Sequence, residues 1–484
     1  MGVAGRRISL LTVKRSVTAA VVLAVLAGVS LFVHDWYVHR DDLCAQGVTR
    51  MEEPRAECVG TTDGSYVFAE HLAAVSGRIE RANREVTAGD GKYVTVAYMT
   101  SVTVDENDSN PEESVRHELQ GAHLAQQRHN ERFTPKIRLL IANTGSGSAH
   151  WRHTVDGLIG LRDGGEPLVA VTGLGPSTDR NLAALRRLSD AGLATVASTM
   201  TATGIGGMEG FVRVAPTNVD EARAAARYLR QKKIRTAMVV QDVAEGNLYA
   251  DTLGDAFTEE FPRGGKEYEL VAERKQFDSS LEDSWRNELQ ILSNQLCFHR
   301  PEAVYFAGRG RHLTHFLDAL AERFCTEWDF TVMTGDDTTN LTDEQVRKAA
   351  DSGVQVFYTG LAHPEMWKDE PDGAPGAVQA AFRKGGVLEQ WFGRERHIDG
   401  QAMMAHDAVL TAARGAQMAS RGTRVTGRAV GRMFQLMEDS AQVRGASGTL
   451  TFEENGDAHD KAVPILKLAS NGDPVFVTVL SPRG

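Results

Sequence analysis

Positive charge is the first thing this chain is short of. Its 53 Lys+Arg stand against 64 Asp+Glu, a formal charge of −11. No basic stripe or Arg-rich tail offsets that balance, which argues against nucleic acid as a partner. Cysteine is also scarce: four in 484 residues, with no C-x-x-C and no Cys/His spacing of the zinc type. Heptads, solenoid repeats and long low-complexity tracts are missing. So are catalytic signatures. Gly204-Ile-Gly206-Gly207-Met-Glu209 begins like a dinucleotide fingerprint but ends on Glu209, there is no Walker A sequence, and Gly145-Ser-Gly147-Ser-Ala149 has the wrong spacing for a nucleophile elbow. His150 and His153 form an H-x-x-H pair without a third ligand, which reads more simply as an exposed loop. These absences argue against an enzyme, and neither a cofactor nor a metal is expected.

Long apolar runs are rare as well, and the one exception is informative. Val17–Val33, VTAAVVLAVLAGVSLFV, has no charge; Arg6, Arg7, Lys14 and Arg15 precede it, and His34 and Asp35 follow. Its length suits a minimal span with positive charge inside, and Trp36 and Tyr37 sit where an interfacial aromatic belt lies. A cleaved signal peptide is the alternative, but no A-x-A site follows and no cysteine comes next for lipid attachment. The favoured expectation is an uncleaved, single-pass anchor: residues 1–16 cytoplasmic, 17–33 in the cell membrane, the bulk extracytoplasmic. The cysteines agree with that compartment. Cys44 with Cys58 and Cys297 with Cys325 are the simplest of three connectivities.

What is present in quantity is alternation. After an extension, residues 35–91, with one helical stretch (Phe68–Glu85), come the β-rich runs YVTVAYM, IRLLIAN, PLVAVTG, LATVAS, TAMVVQD, AVYFAG, FTVMTG and VQVFYTG. Amphipathic helices separate them: Ser114–His129, Asp179–Ala191, Asp220–Arg230 and Arg311–Phe324. Such βαβα alternation predicts an α/β chain with parallel sheets covered by helices on both faces. Asp179 and Asp220 are candidate N-caps, with Thr178 an alternative to the first. Gly448–Phe452, Ile465–Leu468 and Val475–Val479, with turn signals at Asn455-Gly456 and Asn471-Gly472, predict a closing antiparallel meander.

The most specific stretch is Val169–Thr201, a strand, a hydroxyl-rich turn, a helix, a strand and a second hydroxyl-rich turn. Both turns fall at the carboxyl ends of adjacent parallel strands, where open α/β sheets bind small ligands. Ser177, Thr178, Ser198, Thr199 and Thr201 are therefore expected along one crevice. A helix beginning at Thr178 or Asp179 offers free N–H groups and the positive end of its dipole to a carboxylate, although plain capping explains the same hydroxyls. Asp336, in Asp336-Asp337 after FTVMTG, can present a carboxylate to an ammonium group from the facing lobe.

The ordered series VTVAYMTS, TGLGPSTDRN, GLATVASTMTA, FVRVAPTNVDEARAAARYL, MVVQD…LYADTLGDAF, AVYFAGRGRHLTHFL, VMTGDD, DGQAMMAHDAVL and SGTLTFEENGD resembles the type I periplasmic binding proteins. Within them it is similar to the branched-chain amino acid receptors of ABC importers, over about Tyr93 to Val479. The resemblance implies a two-lobed fold with three crossings. Lobe one is expected at 92–214 and 362–444, lobe two at 215–361 and 445–480. It places carboxylate contacts at Thr178, with Ser177 beside it, and at Thr199, Met200 and Thr201. It places the ammonium-binding acid at Asp336, one methylene shorter than the usual Glu. The aromatic walls fall on Arg309 and, displaced, on Tyr249. An Arg at the wall makes the pocket polar, so Leu, Ile or Val are not carried over as ligands. Arg309 reads as a solvated loop cation, a second anion-binding group or a pair for Asp336, and the last would weaken the case for an amino acid.

The resulting expectation is a membrane-tethered solute-binding protein that takes an amino acid or similar small polar solute for an ABC permease. The alternative is a ligand-sensing or scaffolding ectodomain that signals through a partner protein without transport.

Overall fold

The computed structural model describes residues 43–105, 108–281, 284–338, 343–368, 373–393, 395–421 and 424–482. Val17–Val33 lies outside them. Among the described residues no helix is long and apolar enough to cross a membrane. The chain divides into two compact units, one ending at Cys58 and one starting at Val59. In the first, β1 (Leu43–Ala45) and β2 (Val48–Met51) form an antiparallel hairpin, and a disulfide joins Cys44 to Cys58.

The second unit is two-lobed. Its first sheet takes β3 (Glu57–Thr62) from Val59 onward, β4 (Tyr93–Thr100), β5 (Lys136–Asn143), β6 (Leu168–Gly173), β7 (Ala194–Ala197) and β8 (Phe211–Arg213), in the order β3-β5-β4-β6-β7-β8. All pairs from β5 to β8 are parallel. The second sheet holds β9 (Thr236–Asp242), β10 (Glu269–Leu270), β11 (Lys275–Phe277), β12 (Ala303–Ala307), β13 (Phe330–Thr334) and β14 (Val354–Thr359). After the separate hairpin β15 (Val443–Gly445)–β16 (Gly448–Leu450), it is completed by β17 (Val463–Leu468) and β18 (Pro474–Leu480). Its order is β10-β9-β12-β13-β14-β17-β18, with β11 also on β9.

Both sheets thus repeat one parallel order, in which the first strand lies between the second and the third. The chain reverses direction across the sheet between β4 and β6 and again between β9 and β12, and such switch points leave a crevice at the strand ends. Strand β6 is buried along its whole length. One face packs with Val169 and Ala170 against Met404, Ala408 and Ala412, and the other with Val171 against Leu158, Leu185 and Leu188. Helices therefore cover both faces, as near-continuous apolar strands require.

Four expectations need correction. Residues 59–88 are not a separate extension: β3 pairs antiparallel with β5, and the Ala73–Ala88 helix seats Val75 and Ile79 on Leu139 and Ile141. Thr217, not Asp220, is the N-cap of its helix, and of the two candidates for the earlier helix Thr178 holds over Asp179, because a threonine oxygen just outside the helix reaches the N3 amide while Asp220 completes a capping box from N3. The third crossing falls beyond Asp457 and not at 445: Gly207 N–H donates to Asn455 O, Arg213 N–H donates to Gly456 O, and Asp457 pairs with the fully buried Arg213 at 2.7 Å, all on lobe one. Finally, Gly448–Phe452 does not join the closing pair. β16 pairs with β15, and only β17 and β18, turned at Asn471-Gly472, extend the second sheet.

Candidate ligand site between the lobes

The two hydroxyl turns lie side by side at the ends of β6 and β7, and most of their hydroxyls are spent on each other. Ser177 Oγ accepts from Thr201 N and Ala202 N, both at 3.0 Å. Thr199 Oγ1 donates to Gly175 O at 3.4 Å, and Ser198 Oγ lies 3.2 Å from Tyr98 Oη. Met200 is buried, and its carbonyl accepts from the Arg213 guanidinium, which also holds Ala202 O. Ser177 and Met200 therefore brace the crevice from behind. Thr178 accepts from Asn181 N at 3.3 Å as the cap of the Asp179–Asp190 helix.

Opposite, Arg309 caps the Gly310–Ala321 helix after β12 and is only 7% exposed. It reaches across: Nη2 donates to Ser177 O at 2.8 Å, Nη1 meets Asp337 Oδ2 at 3.2 Å, and the guanidinium lies 4.8 Å from the Tyr249 ring centre. Arg309 is neither a solvated loop cation nor paired with Asp336: its carboxylate partner is the adjacent Asp337, which also bonds Gly310 N and meets the positive end of the helix. Tyr249 Oη accepts from Asp337 N at 3.3 Å. Burial, then the neighbouring Asp336, pushes the Tyr249 hydroxyl well above its usual range.

Asp336 is paired differently. Its Oδ1 and Glu221 Oε1 are both shut from solvent without a separate partner, and the two carboxyls meet. Two carboxylates brought together out of water disfavour each other's ionisation. Burial and then the Asp337 charge push Asp336 upward, and burial and then Asp336 push Glu221 upward.

These residues enclose two spaces. A cavity of about 20 Å³, room for about one water, brings together Thr199, Thr201, Tyr249, Arg309 and Asp336, five of the residues expected from the sequence. Asn110 and Gln401 join them and were not anticipated. The second space is a cleft of about 450 Å³ that includes Thr178, Asp179 and Arg180 from the helix start, Ser101 after β4, Asn247 and Ser279 after β9 and β11, and Arg309 and Arg311 after β12. It lies across the switch points of both sheets and is in the size range of small-molecule sites. Ser101 and Asn247 could have been found by applying the strand-end rule to β4 and β9, the first strand of each sheet. Behind the cleft, burial raises Asp242, but hydrogen bonds from His312 and Ser279 outweigh it and bring it to about 2. That fixed anion anchors Ser279 and Asn247 at the rim.

No protein-family model matches the chain, and no curated protein matches it. Solved structures do match. A leucine-binding protein, LivK, from Thermotoga maritima aligns over 81% of this chain and 99% of its own, with a TM-score of 0.62 and 17% identity. The fold is that of the type I periplasmic binding proteins. A branched-chain amino acid transporter substrate-binding protein, LivJ, from Streptococcus pneumoniae, in complex with isoleucine, aligns over 81% of this chain and 100% of its own, with a TM-score of 0.60 and 15% identity. A solute-binding protein from R. palustris in complex with 4-hydroxybenzoate reaches a TM-score of 0.62 at 13% identity, over 81% and 97%. At these identities the type I fold is what the chain shares with them. The two ligands seen in those complexes, isoleucine and 4-hydroxybenzoate, both carry a carboxylate, on quite different frames.

Proposed function

We propose that this chain is a membrane-tethered extracytoplasmic solute-binding protein that captures a small polar solute, amino-acid-like in charge, for an ABC permease. The observation that carries the reading is the cleft across both switch points, with a threonine-capped helix start on one side and Asp336 deep on the other. The helix start and Thr178 suit a carboxylate, and Asp336 suits an ammonium group. The small inner cavity must open for both contacts to form at once, which hinge motion between lobes supplies. The anchor at 17–33 and the location outside the cytoplasm belong to the same proposal.

A second reading draws on Arg309. Its bond to Ser177 O already ties the lobes together, which suits an ectodomain that reports ligand to a partner protein without cycling for transport. Thermal-shift screening with amino acids, amides and small carboxylates tests the shared part. A ligand at a hundred times its dissociation constant should add about 2.7 kcal/mol. No shift with any zwitterion, or an undiminished shift in Thr178→Val and Asp336→Asn, would sink the pocket. Reconstitution with a permease encoded nearby separates transport from sensing.

A further inference from the structure

Away from the cleft, the Glu112–Arg132 helix crosses the Gln401–Ala419 helix so closely that a Cβ at Gly121 would collide with the Ala402 carbonyl. That approach brings residues 395–399 against the first turns of the earlier helix. His117, 1% exposed, accepts or donates at Nδ1 to Asp399 Oδ2 at 2.8 Å. Its Nε2 makes no hydrogen bond and faces Glu395 Oε1 at 3.4 Å. The ring of His397, also buried, lies 4.5 Å from that of His117. Ligand-capable atoms of His117, Glu395 and His397 all fall within 4.8 Å of one another.

We propose that His117, Glu395 and His397 form a binding site for a zinc-type divalent cation. Metal–ligand bonds of about 2.0–2.2 Å at tetrahedral angles place donor atoms about 3.3–3.6 Å apart, which the His117–Glu395 separation already matches. Two imidazoles and one carboxylate leave a fourth position for water or an incoming group. Each ligand has the outer partner that such sites use to fix orientation. Asp399 holds His117 through Nδ1, leaving Nε2 for the metal. Gln120 contacts both other ligands, its carbonyl on His397 and its amide donating to Glu395 Oε2 at 2.8 Å. Arg116 also bonds Glu395 Oε1, an oxygen it must yield to the cation. Asp399 Oδ1 accepts from Gln401 N at 3.1 Å, and Gln401 lines the inner cavity, so a bound cation stiffens one wall of the ligand site.

The test uses the full chain, stripped with chelator and titrated with Zn²⁺ by calorimetry, with Co²⁺ as a spectroscopic probe. The expected result is one saturable Zn²⁺ per chain and the visible absorption of tetrahedral Co²⁺, both lost in His397→Gln and Glu395→Gln. Asp399→Asn should weaken binding by about 10–100-fold. Thermal midpoints in chelator identify any variant that fails to fold, and the remaining variants then decide. The proposal is overturned if the parent chain takes up no stoichiometric Zn²⁺, or if folded His397→Gln and Glu395→Gln bind as tightly as the parent.

Discussion

Arg309 occupies the place where a binding protein of this fold would be expected to offer a ligand surface, and it does so as part of a nearly dry ion pair. Its side chain is 9% exposed and that of Asp337 is 6% exposed. Removing one member of such a pair strands the other charge, whereas neutralising both relieves it. Arg309→Met should therefore cost about 3–5 kcal/mol in chemical unfolding, and adding Asp337→Asn should restore part of it. Additive losses in the double variant would show that the pair is not coupled. Lys461 offers a second test at this scale. It is buried, with Nζ donating to Ser447 O and Oγ at 2.6 Å, and burial, only partly opposed by Asp407, pushes it down to about 8. The unfolded chain keeps that proton up to the ordinary lysine value of 10.5, so between these values it binds more protons than the folded chain. Stability should rise as pH climbs from about 8 toward 10.5. Urea unfolding across that range should show the rise, and Lys461→Met should flatten it.

At the scale of elements, the helix starts do two jobs. Thr217 and Asp220 exchange hydrogen bonds as a capping box at the first crossing between lobes. Thr217→Ala removes the acceptor for one helix amide and should destabilise by about 1 kcal/mol, read as a lower denaturant midpoint with an unchanged slope. The Asp179–Asp190 helix was legible from the TGLGPSTDRN stretch, and so were the long strands, because apolar runs bounded by glycine and polar turns leave little choice of period. The sequence leaves Thr178 and Asp179 both open as the first cap and points to Asp220 where Thr217 serves as the second, since Thr and Asp both favour that role and only the backbone path decides between them. Strands β8, β10 and β11 escaped notice because each is only two or three residues long and is held by its neighbours.

For the whole molecule, the inner cavity and the acid pair predict how ligand binding depends on pH. The ionised form of Asp336 is the one that holds an ammonium group. Affinity for a zwitterion should strengthen as pH rises through neutrality, because burial and Asp337 hold Asp336 upward. Calorimetry at several pH values checks this, and Asp336→Asn should weaken binding and remove the trend. Five of the eight expected ligand residues gather around the inner cavity, and Thr178 lines the outer cleft. Ser177 and Met200 line neither space: the adjoining turn takes the Ser177 hydroxyl, and the buried Arg213 guanidinium takes the Met200 carbonyl.

By itself the sequence determined the fold class, the order of the long strands and the pair of turns at the ends of β6 and β7. Each follows from local periodicity and from the rule that parallel strands joined by helices put their turns at one edge. Tertiary structure decided what distant residues become to one another: that residues 59–88 belong to lobe one, that Arg309 chooses Asp337 over Asp336, that Glu221 meets Asp336, and that His117 meets Glu395 and His397. Those outcomes depend on burial and on distances between segments far apart in the chain. Local patterning carries no record of either.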